Sequence, residues 1–482
     1  MKPVRARVGG DLTLFAEDLT PKAIGRIVAK LQVPNPKYVA AQRMGRWTGG
    51  EPSTFDLAIE MPDGLHVPRG AHGLVKDLLA RDDFQIQVVE DRRARGEPLL
   101  EALFPIWHDH MHALGLRPYQ EEALFLFRRH TQGLVVLPCG CGKTRLGIAA
   151  IGAIAMTALV VVPTRDLADQ WIDALHAAFP FQKTTVGRLG GGKHEADRAI
   201  VVAIDDALVP FLRTAPPEWP ARFGLFLVDE AHHVPSATFR SIVGQFPARW
   251  RLGLTATPTR EDGLERVIDW TFGLRLVEKT TEEMIRKGYL ANAIVEEIPT
   301  DFRFAFDGPA DDPRRVSATE EALADDMVRN AAIADRVTAE AAAGESILVL
   351  CQRREHVHEL VSLIEARGVQ ARGLTGKSGK RARKDAIGAL RAGDAPVVVA
   401  TSLADEGLDV ARLSRVVLAY PQKARGATTQ RLGRLLRQWP GKKPRLLDFV
   451  DPCVPMFARR AQARRRIWRS MGLAIAAPAS PP

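Results

Sequence analysis

Short runs of β-branched and apolar residues, separated by helical stretches, recur in two series along this 482-residue chain. The first, within residues 112–276, reads GLVVLP, TALVVVP, AIVVAI, FGLFLVDE and RLGLTAT; the second, within 345–455, reads SILVLC, APVVVAT, SRVVLAY and RLLDFVD. A strand that is apolar on both sides must be covered on both faces, and helices between strands let neighbours run parallel. Each series therefore predicts a parallel sheet wrapped by helices. Val357, Leu360, Val361 and Ile364 fall on one helical face, as a crossover helix requires. The expected fold class is α/β, with two lobes in tandem.

Residues 1–111 follow another rhythm. In STFDLAIEM, the apolar Phe55, Leu57, Ile59 and Met61 alternate with polar or small residues, Asp63-Gly64 offers a turn into LHVP, and DFQIQVVED alternates again at Phe84, Ile86 and Val88. This predicts a small β-containing accessory domain. Residues 277–344 read as a connector ending in an Ala- and Glu-rich helix over 317–343. Residues 456–482 read as a basic, partly disordered tail, in which Arg459, Arg460, Arg464, Arg465, Arg466 and Arg469 surround Trp468 as a polyanion-seeking cluster.

LPCGCGKT at 137–144 sits between a predicted strand and a predicted helix. A Gly-rich turn at a helix N-terminus aims backbone N–H groups and the positive end of the helix dipole at phosphate oxygens. Gly140 and Gly142 allow close approach, Lys143 adds a cation, and Thr144 offers a hydroxyl to Mg²⁺. FGLFLVDEAHH then places Asp229 and Glu230 just past a buried strand, where ligands of open α/β sheets gather. Asp229 suits Mg²⁺ and Glu230 suits the activation of an attacking water, which makes ATP with Mg²⁺ the expected pairing.

A formal charge of +10 favours a polyanionic partner. Four cysteines, Cys139, Cys141, Cys351 and Cys453, lack zinc-site spacing and are too few for a disulfide scaffold, so reduced thiols are expected. There is no run of eighteen apolar residues, and the opening MKPVRARVGGDL lacks a signal-peptide core, so a soluble cytoplasmic protein without membrane contact is expected. The alternating histidines of HDHMH at 108–112 lack further ligands for a metal, and PDG at 62–64 lacks the rest of a nuclease motif. Arg43, Arg46, Trp47 and Arg69 mix cations with an aromatic ring and are candidates to grip nucleic acid.

In order and spacing, the motifs over about 115–451 resemble those of superfamily 2 helicases and translocases, whose phosphate loop is often spelled PxGxGKT. The resemblance implies two RecA-like lobes. LRPYQ is similar to the adenine-recognition motif, with Gln120 as reader; VDEAHH looks like the DEAH form of motif II; LTATP resembles motif III, which couples nucleotide state to nucleic acid through Thr255 and Thr257. ATSLADEGLDV resembles motif V, implying that Gly407 and Asp409 approach the nucleotide and Thr401 the nucleic-acid backbone. QRLGRLLR resembles motif VI, implying arginine fingers at Arg434 and Arg437 with Gln430 nearby. PTRDLADQW looks like motif Ia, with Thr164 and Arg165 as phosphate contacts, and GRLGGGK resembles motif Ib, with Gly191 and Lys193. Arg260-Glu261-Asp262 resembles the RED element of the xeroderma pigmentosum group B type, and LRPYQ and EGLDV fit that branch and the phage UvsW-type helicases.

The implied function is an ATP-dependent DNA helicase or translocase, moving 3′ to 5′ on single-stranded, forked or branched DNA in repair, recombination or defence. Two other readings fit the same motifs. A motor core that grips backbone need not distinguish sugars, which admits an RNA helicase. A nucleotide-gated scaffold recruiting a nuclease or other partner would use the same binding groups.

Overall fold

The computed structural model describes residues 1–99, 112–179, 184–234, 242–256, 262–309, 312–401, 410–422 and 432–476. The chain divides into two compact units, Met1–Leu137 with Gly142–Glu278, and Pro138–Cys141 with Lys279–Pro482.

The first unit contains an eight-stranded sheet in the order Lys193–His194, Val186–Gly190, Ile200–Ile204, Ala158–Val162, Leu225–Val228, Trp250–Thr255, Gln132–Val136 and Arg275–Glu278. All pairings are parallel except the hairpin at the Lys193 edge. Ala158–Val162 and Ile200–Ile204 are buried along their whole length, which explains their unbroken apolar spelling. The strands read in the sequence as the first series are all present.

The N-terminal region adds a five-stranded sheet in the order Ile59–Met61, Gly64–Pro68, Asp11–Leu14, Lys2–Val8 and Phe84–Asp91. STFDLAIEM is not one strand. Thr54–Asp56 pairs with Gln32–Pro34, and Ile59–Met61 with Gly64–Pro68. The second pairing turns at Pro62 and Asp63, one position earlier than Asp63-Gly64 suggests. Ile59 and Met61 are more than half exposed because they lie on the outermost strand, so the alternation there does not mark a buried face.

This small domain is built into the first lobe. Leu264, Val267 and Trp270 of the lobe complete its apolar core. Residues 92–99 then cross beneath the lobe at the N-terminal ends of its strands: Ala94 N–H donates to Pro247 O (2.8 Å), Arg249 N–H to Ala94 O (2.7 Å), and Thr157 N–H to Glu97 O (2.8 Å). Two buried arginines join the parts. Arg251 Nη2 donates to Gly10 O at 2.8 Å and Phe246 O at 3.0 Å, while Arg69 donates to Ala248 O at 2.8 Å and Gln132 Oε1 at 2.6 Å. Burial pushes Arg251 down to about 10 against the opposing pull of Asp11, so it stays charged at neutral pH. Arg69, expected among the nucleic-acid candidates, is instead a buried tie, with its Nε and Nη1 donors given to Gln132 Oε1, Gly9 O and Ala248 O.

The second unit holds a seven-stranded, wholly parallel sheet in the order Ala371–Leu374, Val397–Thr401, Ile347–Cys351, Arg415–Leu418, Arg445–Val450, Ile294–Pro299 and Ala474–Ala476. Within the stretch read as connector, Ile294–Pro299 is a sheet strand. The single helix expected over 317–343 is two, Arg314–Asp325 and Met327–Ala342, because Asp326 leaves the helical region (ψ +106°) and its carboxylate caps the second through Arg329 N–H at 2.7 Å.

The basic tail is also reassigned. Pro455–Ser470 is a helix, followed by the strand Ala474–Ala476. Phe457, Arg460, Arg464 and Trp468 recur at three- and four-residue spacing and are buried. Arg464 grips Asp448 with two bonds of 2.9 and 2.8 Å, Arg460 reaches Glu320 (2.8 Å), and Arg465 reaches Glu297 (2.6 Å). Half of the cluster read as polyanion-seeking is therefore committed to carboxylates of its own lobe.

Candidate functional site

The loop after Gln132–Val136 delivers Lys143 as the first residue of the helix Lys143–Ile154. Gly142 caps that helix at φ +75°, and Gly140 takes φ +84°; both are conformations that a side chain resists. A Cβ at Gly142 would stand 2.6 Å from Gln120 Nε2, because Gln120 donates to Gly142 O at 2.9 Å and accepts from Arg117 N–H at 2.8 Å. Gln120 is buried, and its amide ties the adenine-recognition motif to the phosphate loop. Thr144 follows, half-buried, on the first turn.

Beside the loop, Leu225–Val228 ends in Asp229 and Glu230. Asp229 is buried and accepts Trp171 Nε1–H at 2.8 Å on one oxygen and Glu230 N–H at 2.9 Å on the other. Glu230 sits at φ +51°, a strained left-handed conformation for a side-chain residue of the kind that collects at functional sites. That backbone turn holds its carboxylate 3.7 Å from Lys143 Nζ and 3.4 Å from His232 Nδ1, and His232 Nδ1 in turn lies 3.3 Å from Thr255 Oγ1. No well-aligned hydrogen bond from the described residues reaches the buried Glu230 Oε2.

Burial first, and the neighbouring Glu230 second, push the Asp229 carboxyl above the ordinary carboxylate range, against the pull of Lys143 and the Trp171 N–H. Burial also pushes Glu230 up, but Lys143 and His232 outweigh it, so Glu230 is held below its ordinary value. Two acids thus share one lysine in a dry corner. Such a pocket draws a further cation, and the residues fit Mg²⁺: hard oxygen donors at Asp229 and Thr144, with an excess of negative charge. Trp171 escaped the sequence reading. Its indole points at Asp229 from a helix 58 positions earlier, and no local pattern encodes that.

Of the predicted nucleic-acid contacts, Thr164 caps the helix Arg165–Ala178 by accepting Leu167 N–H at 3.3 Å. Arg165 is exposed, and its side chain lies over Gly191, whose Cβ would stand 3.1 Å from Arg165 Cδ. The motifs resembling Ia and Ib thus meet on one surface. Gly191 and Gly192, at φ +59° and +85°, form the two-residue turn of the hairpin that pairs Gly190 with Lys193. Lys193 is exposed, 3.8 Å from Glu195. Thr257, Arg260, Glu261, Gly407, Asp409 and Gln430 lie outside the described residues.

In the second unit, Thr401 ends the strand Val397–Thr401, buried, with no hydrogen bond to its Oγ1 from the described residues. Arg434 and Arg437 are half-buried, and burial lowers the Arg437 pKa. Among the described residues no cluster of histidine, cysteine and acids has the makings of a metal site of three or more such ligands, and no helix is long and apolar enough to cross a membrane. Of the HDHMH histidines only His112 is described.

Comparison with known proteins adds a second line. Residues 113–260 match the family described as type III restriction enzyme, res subunit, and 329–438 match the helicase conserved C-terminal domain. The DNA 3'-5' translocase XPB2 of Sulfurisphaera tokodaii is 28% identical over 404 residues, 77% of this chain and 88% of that protein. The DNA 3'-5' helicase XPB of Kineococcus radiotolerans is 30% identical over 331 residues, 67% of this chain but only 57% of the relative. Among solved structures, the ATP-dependent type ISP restriction-modification enzyme LlaBIII bound to DNA superposes with a TM-score of 0.55 at 13% identity, covering 76% of this chain and 31% of that one. That likeness concerns the fold, two RecA-like helicase domains.

Proposed function

The chain belongs to superfamily 2 of the helicases, among relatives of the xeroderma pigmentosum group B type, and from that premise we propose that it is an ATP-driven DNA helicase or translocase moving 3′ to 5′ on duplex or branched DNA. The direction and the nucleic acid follow the printed descriptions of its relatives. The observation that carries the reading is the corner formed by Lys143, Asp229 and Glu230, with a strained glutamate whose inner oxygen has capacity to accept.

In this reading the glycines at 140 and 142 bring N–H groups to the phosphates of ATP, and Lys143 adds charge. Asp229 and Thr144 would hold Mg²⁺, which neutralises phosphate charge when bound. Glu230 takes the proton of the attacking water, its carboxylate held between Lys143 beside Oε1 and His232, itself next to Thr255, beside Oε2. Gln120 holds the loop in register, and reading adenine requires it to exchange a bond such as the one to Gly142 O. Arg434 and Arg437, with Gln430, Gly407 and Asp409, supply the second lobe's part of the nucleotide site.

Thr164, Arg165, Gly191, Lys193, Arg260 and Thr401 carry the strand by its phosphates. Binding is then sequence-independent and salt-sensitive, with a slope of about −0.7 per neutralised phosphate on a single strand. The setting we propose is repair, recombination or defence, with a nuclease as partner.

The test is ATP hydrolysis and strand separation by the purified chain on forks, Holliday junctions, tailed duplexes and RNA, with Lys143→Ala as the blank. Stimulation by DNA above RNA is expected. Glu230→Gln leaving DNA-stimulated turnover at the wild-type rate would overturn the motor and favour the scaffold.

A further inference from the structure

The helix Pro36–Arg43 ends in a projecting loop over 44–51 whose shape is fixed from below. Asn35, wholly buried, accepts Lys37 N–H at 3.0 Å and donates to Pro52 O at 2.8 Å and Glu51 Oε2 at 3.1 Å, tying the start of the helix to the far end of the loop with one amide. Gly45 at φ +61° reverses the chain, and Arg46 N–H returns to Ala41 O at 2.9 Å. On this fixed base Trp47 is 87% exposed and Met44 65% exposed. Trp47 lies against the backbone of Gly49, where a Cβ would meet the indole at 3.9 Å. Arg43 and Arg46 precede it on the same segment, both exposed and neither with an acidic partner among the described residues.

Water is a poor neighbour for an indole, and single exposed tryptophans of this degree are uncommon. An exposed indole on a short segment with two unneutralised arginines fits a ligand that offers a flat apolar face beside negative charges. A nucleobase beside its own phosphates is such a ligand. Resting on the DNA reading of the motor, we infer that the 44–51 loop is a second nucleic-acid contact, which stacks Trp47 on an unpaired base at a fork or junction while Arg43 and Arg46 hold the adjoining phosphates. Because Arg69 and Arg251 bind this domain into the first lobe, the indole keeps a set position relative to that lobe's phosphate-contact surface. An intact blunt duplex hides its base faces, so the contact selects for open structures.

The full-length chain is titrated onto a fluorescein-labelled fork and a blunt duplex of equal length, with Trp47→Ala, Trp47→Phe and the double variant Arg43→Ala/Arg46→Ala. Trp47→Ala is expected to weaken fork binding about tenfold, the range for losing one stacked base, with little effect on the duplex. Phenylalanine recovers part of the loss, and the arginine pair lowers the salt slope. 2-Aminopurine at the first unpaired position is quenched by wild type and not by Trp47→Ala. A wild-type chain stimulated by DNA whose Trp47→Ala variant binds forks equally well, with no quench in either, overturns the loop while leaving the motor standing. Absence of DNA-stimulated turnover in wild type is instead the failure of the motor reading. Tip-dependent binding to lipid vesicles or protein, without the fork effect, also overturns it.

Discussion

Asp229 and Asp448 are both buried carboxylates on parallel-sheet strands or just past their ends, and burial pushes both upward, yet they stand in opposite electrostatic company. Asp448 faces the wholly buried Arg464, which meets it with two bonds of 2.9 and 2.8 Å. Asp229 faces another acid, and the two share Lys143. A buried pair that neutralises itself has no use for a ligand and serves the fold. A buried pair left short of positive charge is kept because something else supplies it. Strain divides the same way: Glu230 is held at φ +51°, while the strands around Asp448 are regular.

Replacing Glu230 by Gln should have a large effect on turnover, a fall in kcat of about 10²- to 10⁴-fold, the usual range for removing a general base. Nucleotide affinity should survive. The change relieves a like-charge contact with Asp229 but also gives up the attraction of Lys143 and His232, so the melting temperature should change little, which a thermal melt beside the kinetics will read. A clear loss of stability in this variant would place Glu230 with Asp448 as a structural acid.

Arg464→Met is the counterpart. Removing one member of a buried pair leaves Asp448 uncompensated, a cost of about 3–5 kcal/mol, seen as a lower urea midpoint for the second unit. Adding Asp448→Leu should return most of it, since two apolar residues need no partner. No such rescue exists at Asp229: Asp229→Leu should abolish turnover whatever its effect on stability.

These contrasts also show what the sequence could and could not disclose. The strands of the two series were legible because complete burial writes itself as unbroken apolar runs, as in Ala158–Val162 and Val397–Thr401, whereas the equally buried Val186–Gly190, spelled VGRLG, was read only as a glycine-rich motif. The loop and the acids were legible because their chemistry is confined to a few adjacent residues. The C-terminal helix was misread because an arginine is spelled the same whether it faces solvent or a carboxylate, and the partners of Arg464, Arg460 and Arg465 lie 16, 140 and 168 positions away. Ile294–Pro299 was hidden for a related reason. Its Glu296 and Glu297 look like a solvated turn until Arg336 and Arg465 are seen against them. Arg69 was misassigned because a cation near an aromatic residue says nothing about which side of a domain it occupies.

The next effect is smaller and concerns pH. Asp229 holds its proton above the ordinary carboxylate range, so its ionised form costs the fold: that penalty is absent at pH below the ordinary value and fully present once pH exceeds the raised one. Function runs the other way, because a cation needs the carboxylate. Turnover should therefore fall on acidification at a higher pH than an exposed aspartate would set. Trp171→Phe removes the N–H that helps hold the charge, so the acid limb of the ATPase profile should move upward by a fraction of a unit. A limb that stays in place, or moves down, would show that Asp229 does not govern it.

The smallest expected effect is the sharpest test of the division between paired and unpaired arginines, because it is made on one helix. Arg466 is two positions from Arg464 on Pro455–Ser470, carries the same charge and has the same helix propensity, but is exposed and without an acidic partner among the described residues. If the arginines of this segment stabilise the lobe through general charge, Arg466→Ala and Arg464→Ala should cost alike. If only the buried fork on Asp448 matters, Arg466→Ala should change the unfolding free energy read from a urea titration by no more than about 0.5 kcal/mol, the ordinary range for a surface substitution. Any loss of DNA affinity in Arg466→Ala should then vanish at high salt, since an exposed cation acts on phosphate only through a screened field. Stability losses of equal size at the two positions would mean that burial does not separate the arginines that build this protein from those left to meet its ligand.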